Sequence, residues 1–260
     1  MEETGFSLSH EGITIRGRMF RPSAASEEGR GCIVLCHGIP AGGPPDPQDP
    51  GYPGLAKDLV RLGFQAVVFS FRGAGESSGD FDIQGWLDDL KVVVAYVRNH
   101  TTFLPILFGF SAGAAVSVCL AAEDPALGGL ILCGCPADFN GILVEEGPEH
   151  FLAHARSIGI VRSNDFPQNY SAWVRGFHTV YAYGCIGRIE RIPTLIVHGD
   201  NDDVVSVEHS YRLYERARNP KELVIIRGGS HRLRLDPEAM QVTRAWLERL
   251  DTHKAVGSQE

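Results

Sequence analysis

Residues 109–113 read Gly-Phe-Ser-Ala-Gly, and Ser111 stands where an apolar run gives way to small helix-forming residues. A serine between glycines is weak evidence by itself, because turns use both residues freely. Its flanks strengthen the signal. Ile106–Phe108 has strand character and Ala112–Ala122 has helix character, so Ser111 falls on a sharp corner and projects above the sheet edge. Chains pass closely at such a corner, and Gly109 and Gly113 supply the small neighbours it needs. The helix that follows offers free N–H groups and partial positive charge beneath the hydroxyl. The chemistry this suits is nucleophilic attack.

A serine hydroxyl needs a base, usually a histidine oriented by a carboxylate. Of ten histidines, His37, His198 and His231 fall near the C-terminal ends of expected strands, where functional loops of a parallel sheet gather. His37 and His198 each end a strand before a glycine. His231 closes the loop Arg227-Gly-Gly-Ser-His231, between the last strand and the last helix, and is free to reach Ser111. For the acid, Asp200, Asp202 and Asp203 follow His198-Gly199. Asp200 suits the turn and Asp203 a helix cap, which favours Asp202 beyond the strand tip and keeps Asp200 as the alternative.

Two other constellations are weaker. His150 and His154 have the i, i+4 spacing of a zinc pair, but without the expected intervening glutamate or a third ligand they read as a solvated helix face. Cys133-Gly-Cys135 lacks a second paired motif and reads as a strand end rather than a redox or metal pair.

The elements that must position these groups alternate. A hairpin is expected over residues 5–21, turning at Glu11-Gly12, and then a buried strand over Cys32–Cys36. Helix follows over Gly54–Leu62, strand over Gln65–Phe69, and helix over Gln84–Arg98 with Leu87, Leu90, Val94 and Val97 on one stripe. After the Ser111 corner come strands over Leu127–Cys133, Thr194–His198 and Glu222–Ile226, with helices over Val207–Ala217 and from Pro237 to about His253. Such alternation predicts an α/β fold with a mostly parallel sheet covered on both faces. Two segments break the rhythm: the proline-rich loop Ile39–Pro53, and Ala137–Arg191, rich in aromatics and long enough for a small cap. The expected organisation is a core of 1–136 and 192–260 with a cap insertion at 137–191.

With 260 residues, 43% hydrophobic and 22% charged, the chain suits one domain or one domain with an insertion. A net charge of −8 with thinly spread basic residues argues against nucleic acid or an anionic membrane as partner. No apolar stretch approaches a membrane span, and the start MEETGFSLSH lacks the order of a signal peptide. The six cysteines sit mostly in apolar runs, as reduced core thiols of a cytoplasmic protein would.

These residues resemble the α/β-hydrolase superfamily from about Gly31 to Leu250. Beyond the Ser111 corner, Leu35-Cys-His-Gly38-Ile39-Pro40 is similar to its His-Gly oxyanion loop, and Phe71-Arg72-Gly73-Ala-Gly75-Glu-Ser77-Ser-Gly79 to its Arg-Gly-x-Gly-x-Ser signature. HGDNDDVVS resembles its acid loop, with the second aspartate at Asp202, and GGSH its histidine loop at His231. The compact form looks closest to bacterial carboxylesterases of the cinnamoyl or feruloyl type. Aspartate and serine at 203 and 206, where the family often has proline, and the long loop after His37 are departures.

The resemblance implies an eight-stranded sheet, a Ser111–His231–Asp202 triad, and an oxyanion hole from the backbone N–H groups of Ile39 and Ala112. It implies ester cleavage through an acyl-enzyme, with no cofactor or metal and a small-molecule ester as substrate. Arg72 is expected to brace its loop rather than bind substrate. The cap aromatics, Phe139, Trp173 and Phe177 among them, are candidates for an apolar pocket wall or for the cap's own core. A thioesterase, a C–C hydrolase, a peptidase (weakened because no large gating domain precedes the fold) and a binding protein without turnover are the alternatives. A homodimer stays open.

Overall fold

The structure, a computed structural model, describes residues 1–23, 29–43, 49–141 and 147–250. Strands β1 (Glu2–His10) and β2 (Ile13–Arg21) form the expected hairpin, paired antiparallel from Glu2 opposite Arg21 to His10 opposite Ile13. Then follow β3 (Cys32–Cys36), α1 (Gly51–Arg61), β4 (Gln65–Phe69), α2 (Ile83–Arg98), β5 (Pro105–Phe110), α3 (Ala112–Glu123) and β6 (Gly129–Cys133). Within 137–191 lie α4 (Gly147–Ser157), α5 (Tyr170–Thr179) and α6 (Ala182–Ile186). The chain continues through β7 (Thr194–Gly199), α7 (Glu208–Arg216), β8 (Lys221–Ile226) and α8 (Pro237–Arg249). The His253 end expected for the last helix lies outside the described residues.

The eight strands form one sheet in the order β1-β2-β4-β3-β5-β6-β7-β8, parallel from β4 to β8. Alternation along the central strands divides the core between its two faces, as a period of two requires. In β5, Ile106, Phe108 and Phe110 face the layer of α1 and α8, whereas Leu107 faces α2 and α3. In β6, Ile131 and Cys133 share the first layer and Leu130 and Leu132 the second.

Strand order reverses between β3 and β5, since β4 lies on one side of β3 and β5 on the other. Such a switch opens a crevice above the carboxyl ends of the strands, and His37 and Ser111 leave β3 and β5 at that crevice. The adjoining strands β7 and β8 carry the Asp202 and His231 loops to the same edge.

The buried aromatics of the 137–191 segment pack into the main core. Phe139, Trp173 and Phe177 are 2%, 4% and 2% exposed. They join Phe81, Trp86 and Phe151 in one cluster, with Phe177 5.7 Å from Phe139, 5.3 Å from Trp173 and 5.5 Å from Phe151 between ring centroids. The Trp173 indole N–H donates to the Phe81 carbonyl at 3.1 Å. These side chains continue the core over α2 and α3. All six cysteines are buried free thiols.

Candidate active site

Ser111 has φ 52° and ψ −125°, a conformation that costs a non-glycine residue roughly 1–3 kcal/mol and persists only where its surroundings enforce it. The enforcement is visible. The Ser111 N–H donates to Cys133 O at the end of β6, at 2.8 Å, and its carbonyl accepts from Ala114 and Ala115 at the start of α3. A Cβ at Gly109 would lie 2.4 Å from Ala114 Cα, and one at Gly113 would lie 2.3 Å from the His37 carbonyl oxygen. Both glycines are therefore required by contact. A serine that merely capped α3 would have extended backbone geometry and a side chain accepting an N–H bond. Ser111 has neither, and its side chain makes no cap bond.

Ser111, His231 and Ile39 line one cavity of about 370 Å³. Behind its wall, His231 Nδ1 lies 2.7 Å from Asp202 Oδ2. Because a carboxylate only accepts, Nδ1 carries the proton in this pair and Nε2 is left as the basic nitrogen. The Asp202 side chain is fully buried and that of His231 is 20% exposed. Its Oδ1 accepts from the N–H groups of Val204 (2.9 Å) and Val205 (2.8 Å). Burial raises the Asp202 pKa, but hydrogen bonds from His198, His231 and Val205 overcome that and hold the carboxyl well below the usual carboxylate range.

His198 lies behind the acid. Its Nε2 is 2.7 Å from Val205 O and 3.2 Å from Asp202 Oδ2, and its Nδ1 is 2.6 Å from Ser210 Oγ. Since Val205 O can only accept, Nε2 bears the proton, which also serves Asp202. Asp200, the alternative acid, receives the Gly228 N–H at 2.5 Å and its own N–H reaches Ile226 O, so it joins the acid loop to the histidine loop.

His37 secures the opposite wall. Phe71 N–H donates to His37 Nε2 at 3.0 Å, so the proton must sit on Nδ1, which donates to Gly38 O at 2.7 Å. Burial lowers the His37 pKa to about 4, so the ring is neutral at pH 7. The Gly38–Ile39 peptide is not among the cis bonds. Anchoring the Gly38 carbonyl on His37 therefore turns the Ile39 N–H the other way. Ala112 is buried as the first residue of α3, a position where a helix N–H has no intrahelical acceptor.

The wall of the cavity corrects one expectation. No described residue of 137–191 lines it, so Phe139, Trp173 and Phe177 are core and not pocket wall. Aromatic density signals burial without indicating against what. The wall comes instead from Ile39, Pro40 and Ala41, from Tyr52 and Phe110, and from the turn Arg232–Leu235 that follows His231. The proline-rich loop thus contributes lining from both of its described ends, while its residues 44–48 lie outside the described residues. The 137–191 segment acts from behind: the Arg162 guanidinium donates to the carbonyls of Gly73 (3.0 Å), Gly75 (3.2 Å) and Ser77 (3.0 Å), holding the loop that carries Ala74 and Gly75 into the lining.

Arg72 is structural. Its guanidinium and backbone N–H bond the buried Asp89 carboxylate at 2.7–3.0 Å. His150 and His154 are exposed on α4, and among the described residues no group of three or more His, Cys, Asp or Glu is placed to hold a metal.

A model described as the alpha/beta hydrolase fold matches residues 31–178, more than half of the chain. The chain belongs to the α/β-hydrolase family. A second model, for serine aminopeptidases, matches residues 185–238 of this α/β hydrolase. Uncharacterized protein YfhR of Escherichia coli (strain K12) is 28% identical over 184 residues, which is 68% of this chain and 56% of that protein. The chain thus spans little more than half of such a relative. Among solved structures, an alpha-beta serine hydrolase homologue from Coxiella burnetii is 26% identical with a TM-score of 0.63, over 95% of this chain and 96% of that one. Est1E from Butyrivibrio proteoclasticus, solved with ferulic acid bound, is 22% identical with a TM-score of 0.70, over 94% and 96%, a likeness of fold.

Gly134, His198 and Tyr52 contribute in ways that their local sequence does not reveal. Gly134, between the two cysteines, has φ 58°, and a Cβ there would lie 3.3 Å from His231 Nδ1 and Cε1 and 3.5 Å from Asp202 Oδ2. The Cys-Gly-Cys pattern is therefore a strand end shaped to fit the imidazole. Tyr52 carried no local signal, and His198, a candidate base by its place at a strand end, takes a different role that partners elsewhere in the fold assign to it. No helix among the described residues is long and apolar enough to cross a membrane.

Proposed function

We propose that this α/β hydrolase is a serine esterase that cleaves carboxylic esters through an acyl-enzyme. The observation that carries the reading is Ser111 itself: a strained serine whose hydroxyl is not spent on capping its helix and which opens into the cavity that His231 lines. His231 Nε2 takes the Ser111 proton as Oγ attacks the ester carbonyl, and returns it to the leaving alcohol. Asp202 keeps the imidazole in the Nδ1–H tautomer and stabilises its charged form. The N–H groups of Ile39 and Ala112 receive the developing oxyanion, each worth roughly a hundredfold in rate or more. Water activated by His231 then releases the acid and restores Ser111.

The test is labelling with a fluorophosphonate, followed by peptide mapping and by turnover of 4-nitrophenyl esters. Labelling at Ser111, and loss of both labelling and turnover in Ser111→Ala, is the expected result. A folded wild-type protein left unlabelled refutes the proposal. The match of 185–238 to the serine aminopeptidase model favours amide cleavage as the second reading. Amino-acid 4-nitroanilides separate the two, because a peptidase turns them over and the esterase proposed here does not.

A further inference from the structure

The turn after His231 brings charge to an otherwise neutral cavity. Arg232 and Arg234 both line it, and none of its described lining residues is a carboxylate. His37 is neutral by its hydrogen-bond arrangement, and burial pushes the Tyr52 phenol up to about 12, so it too is uncharged. Arg234 is committed: it forks onto Asp49, with one N–O distance of 2.6 Å, and its guanidinium sits 4.9 Å over the Tyr52 ring. Asp49 thereby ties the described end of the proline-rich loop to the histidine turn. The same carboxylate lies in the field of Arg232, so two guanidinium groups face one carboxylate at this rim. Among the described residues Arg232 has no ion-pair partner of its own. At this rim Arg232 and Arg234 outnumber the one carboxylate, Asp49, while the Asp202 carboxylate is buried behind His231, so the excess positive charge is local to the turn that carries Arg232.

We infer that Arg232 forms an anion subsite beside Ser111, and that the esters this site prefers carry a carboxylate or a comparable anionic group on the acyl or the alcohol part. The inference rests on the esterase reading for its catalytic consequence, though the subsite itself exists without turnover. Arg232 lines the same cavity as Ser111 and His231, so an ester positioned for Ser111 can extend an anionic group to it. A guanidinium fork suits a carboxylate in particular. Tyr52, with its proton retained, is a neutral donor on the same wall. An unbranched neutral acyl chain would leave the guanidinium without a partner and gain only apolar contact.

Two measurements test this. The first compares kcat/KM for the 4-nitrophenyl half-ester of glutarate with that for 4-nitrophenyl pentanoate, and for 4-acetoxybenzoate with that for phenyl acetate. Arg232 is exposed, so the expected result is a preference of about threefold to fivefold for the anion in one of the two pairs, the range an exposed ion pair supplies. The pair that shows it places the subsite on the acyl or the alcohol side. Arg232→Gln should bring the ratio to within twofold of one, Arg232→Lys should restore part of it, and Arg232→Glu should invert it. The second measurement titrates glutaramate, which carries a carboxylate opposite its amide, and the uncharged pentanamide into the Ser111→Ala protein by calorimetry, with and without Arg232→Gln. Tighter glutaramate binding that is lost with Arg232 supports the subsite whether or not the enzyme hydrolyses esters. Equal binding of the two amides, or an anion preference that survives Arg232→Gln, overturns it. If no ester is turned over but the glutaramate preference stands, the esterase reading fails and the anion subsite remains.

Discussion

Replacing Gly134 by alanine tests whether the placement of His231 depends on a residue with no chemistry of its own. The methyl group has two effects. Held at φ 58°, an alanine costs roughly 1–2 kcal/mol of stability relative to glycine through left-handed backbone strain. Its Cβ would also meet His231 Nδ1 and Cε1 at 3.3 Å and Asp202 Oδ2 at 3.5 Å. The first contact is tighter than an ordinary carbon approach, so the ring must yield by a few tenths of an ångström. Misplacing a reacting group by 1 Å can cost about a hundredfold, so a shift of this size is expected to lower kcat by about tenfold, or about 1.4 kcal/mol of barrier. Gly12→Ala provides the comparison. Gly12 has φ 79° in the β1–β2 turn and nothing within 4 Å of its Cβ position, so it pays the backbone strain without touching the site. Steady-state hydrolysis of 4-nitrophenyl acetate and urea unfolding, run on both variants, separate the two effects. Both variants should lose similar stability, and only Gly134→Ala should lose kcat. If Gly134→Ala unfolds as expected but retains kcat within twofold of wild type, the reasoning about how His231 is held is wrong.

Asp202→Asn should lower kcat by about 10⁴ because the amide favours the wrong imidazole tautomer, whereas Asp200→Asn should stay within severalfold, since its amide oxygen can still receive the Gly228 N–H; equal losses in stopped-time ester assays would show the acid to be misassigned. Phe177→Ala should destabilise by about 3–5 kcal/mol in denaturant titration while leaving the KM for 4-nitrophenyl esters unchanged, because Phe177 is core and not lining. A KM that rises severalfold would return 137–191 to the pocket wall. Stability should also fall on acidification between about pH 6.5 and 4. His37 is neutral in the fold with its pKa lowered to about 4, so over that window the unfolded chain binds the extra proton and is favoured. The contribution is of order 1–3 kcal/mol, present above the unfolded value of 6.5 and lost as pH drops through 4; chemical unfolding at stepped pH measures it, and an unchanged slope in His37→Asn, which has no such titration, would refute the assignment.

Much of this molecule was legible along the chain because the relevant signals are local. The short apolar run Ile106–Phe108 and the small-residue helix after it locate a strand, a corner and a helix without reference to any other part of the chain. The glycines around Ser111, the aspartate-rich turn after β7 and the glycine loop before His231 likewise mark loops at the same sheet edge, and the structure brings their side chains to one crevice. Parallel topology explains that success: once strands alternate with helices, every strand ends at the same side.

What the sequence by itself determined is therefore the order of the layers and the identity of residues able to do chemistry. The tertiary structure alone decided which of them touch. It separated Asp202 from Asp200, because only the former reaches His231 while the latter ties two loops together. It turned His198 from a candidate base into a buried donor behind the acid, and gave Gly134 a reason to be glycine. It also moved the cavity wall from the aromatic segment to Tyr52 and the Arg232–Leu235 turn. The physical cause is common to all of these. Hydrophobic periodicity reports that a side chain is buried, but packing across elements decides what it is buried against, and that information is spread over residues far apart in the chain.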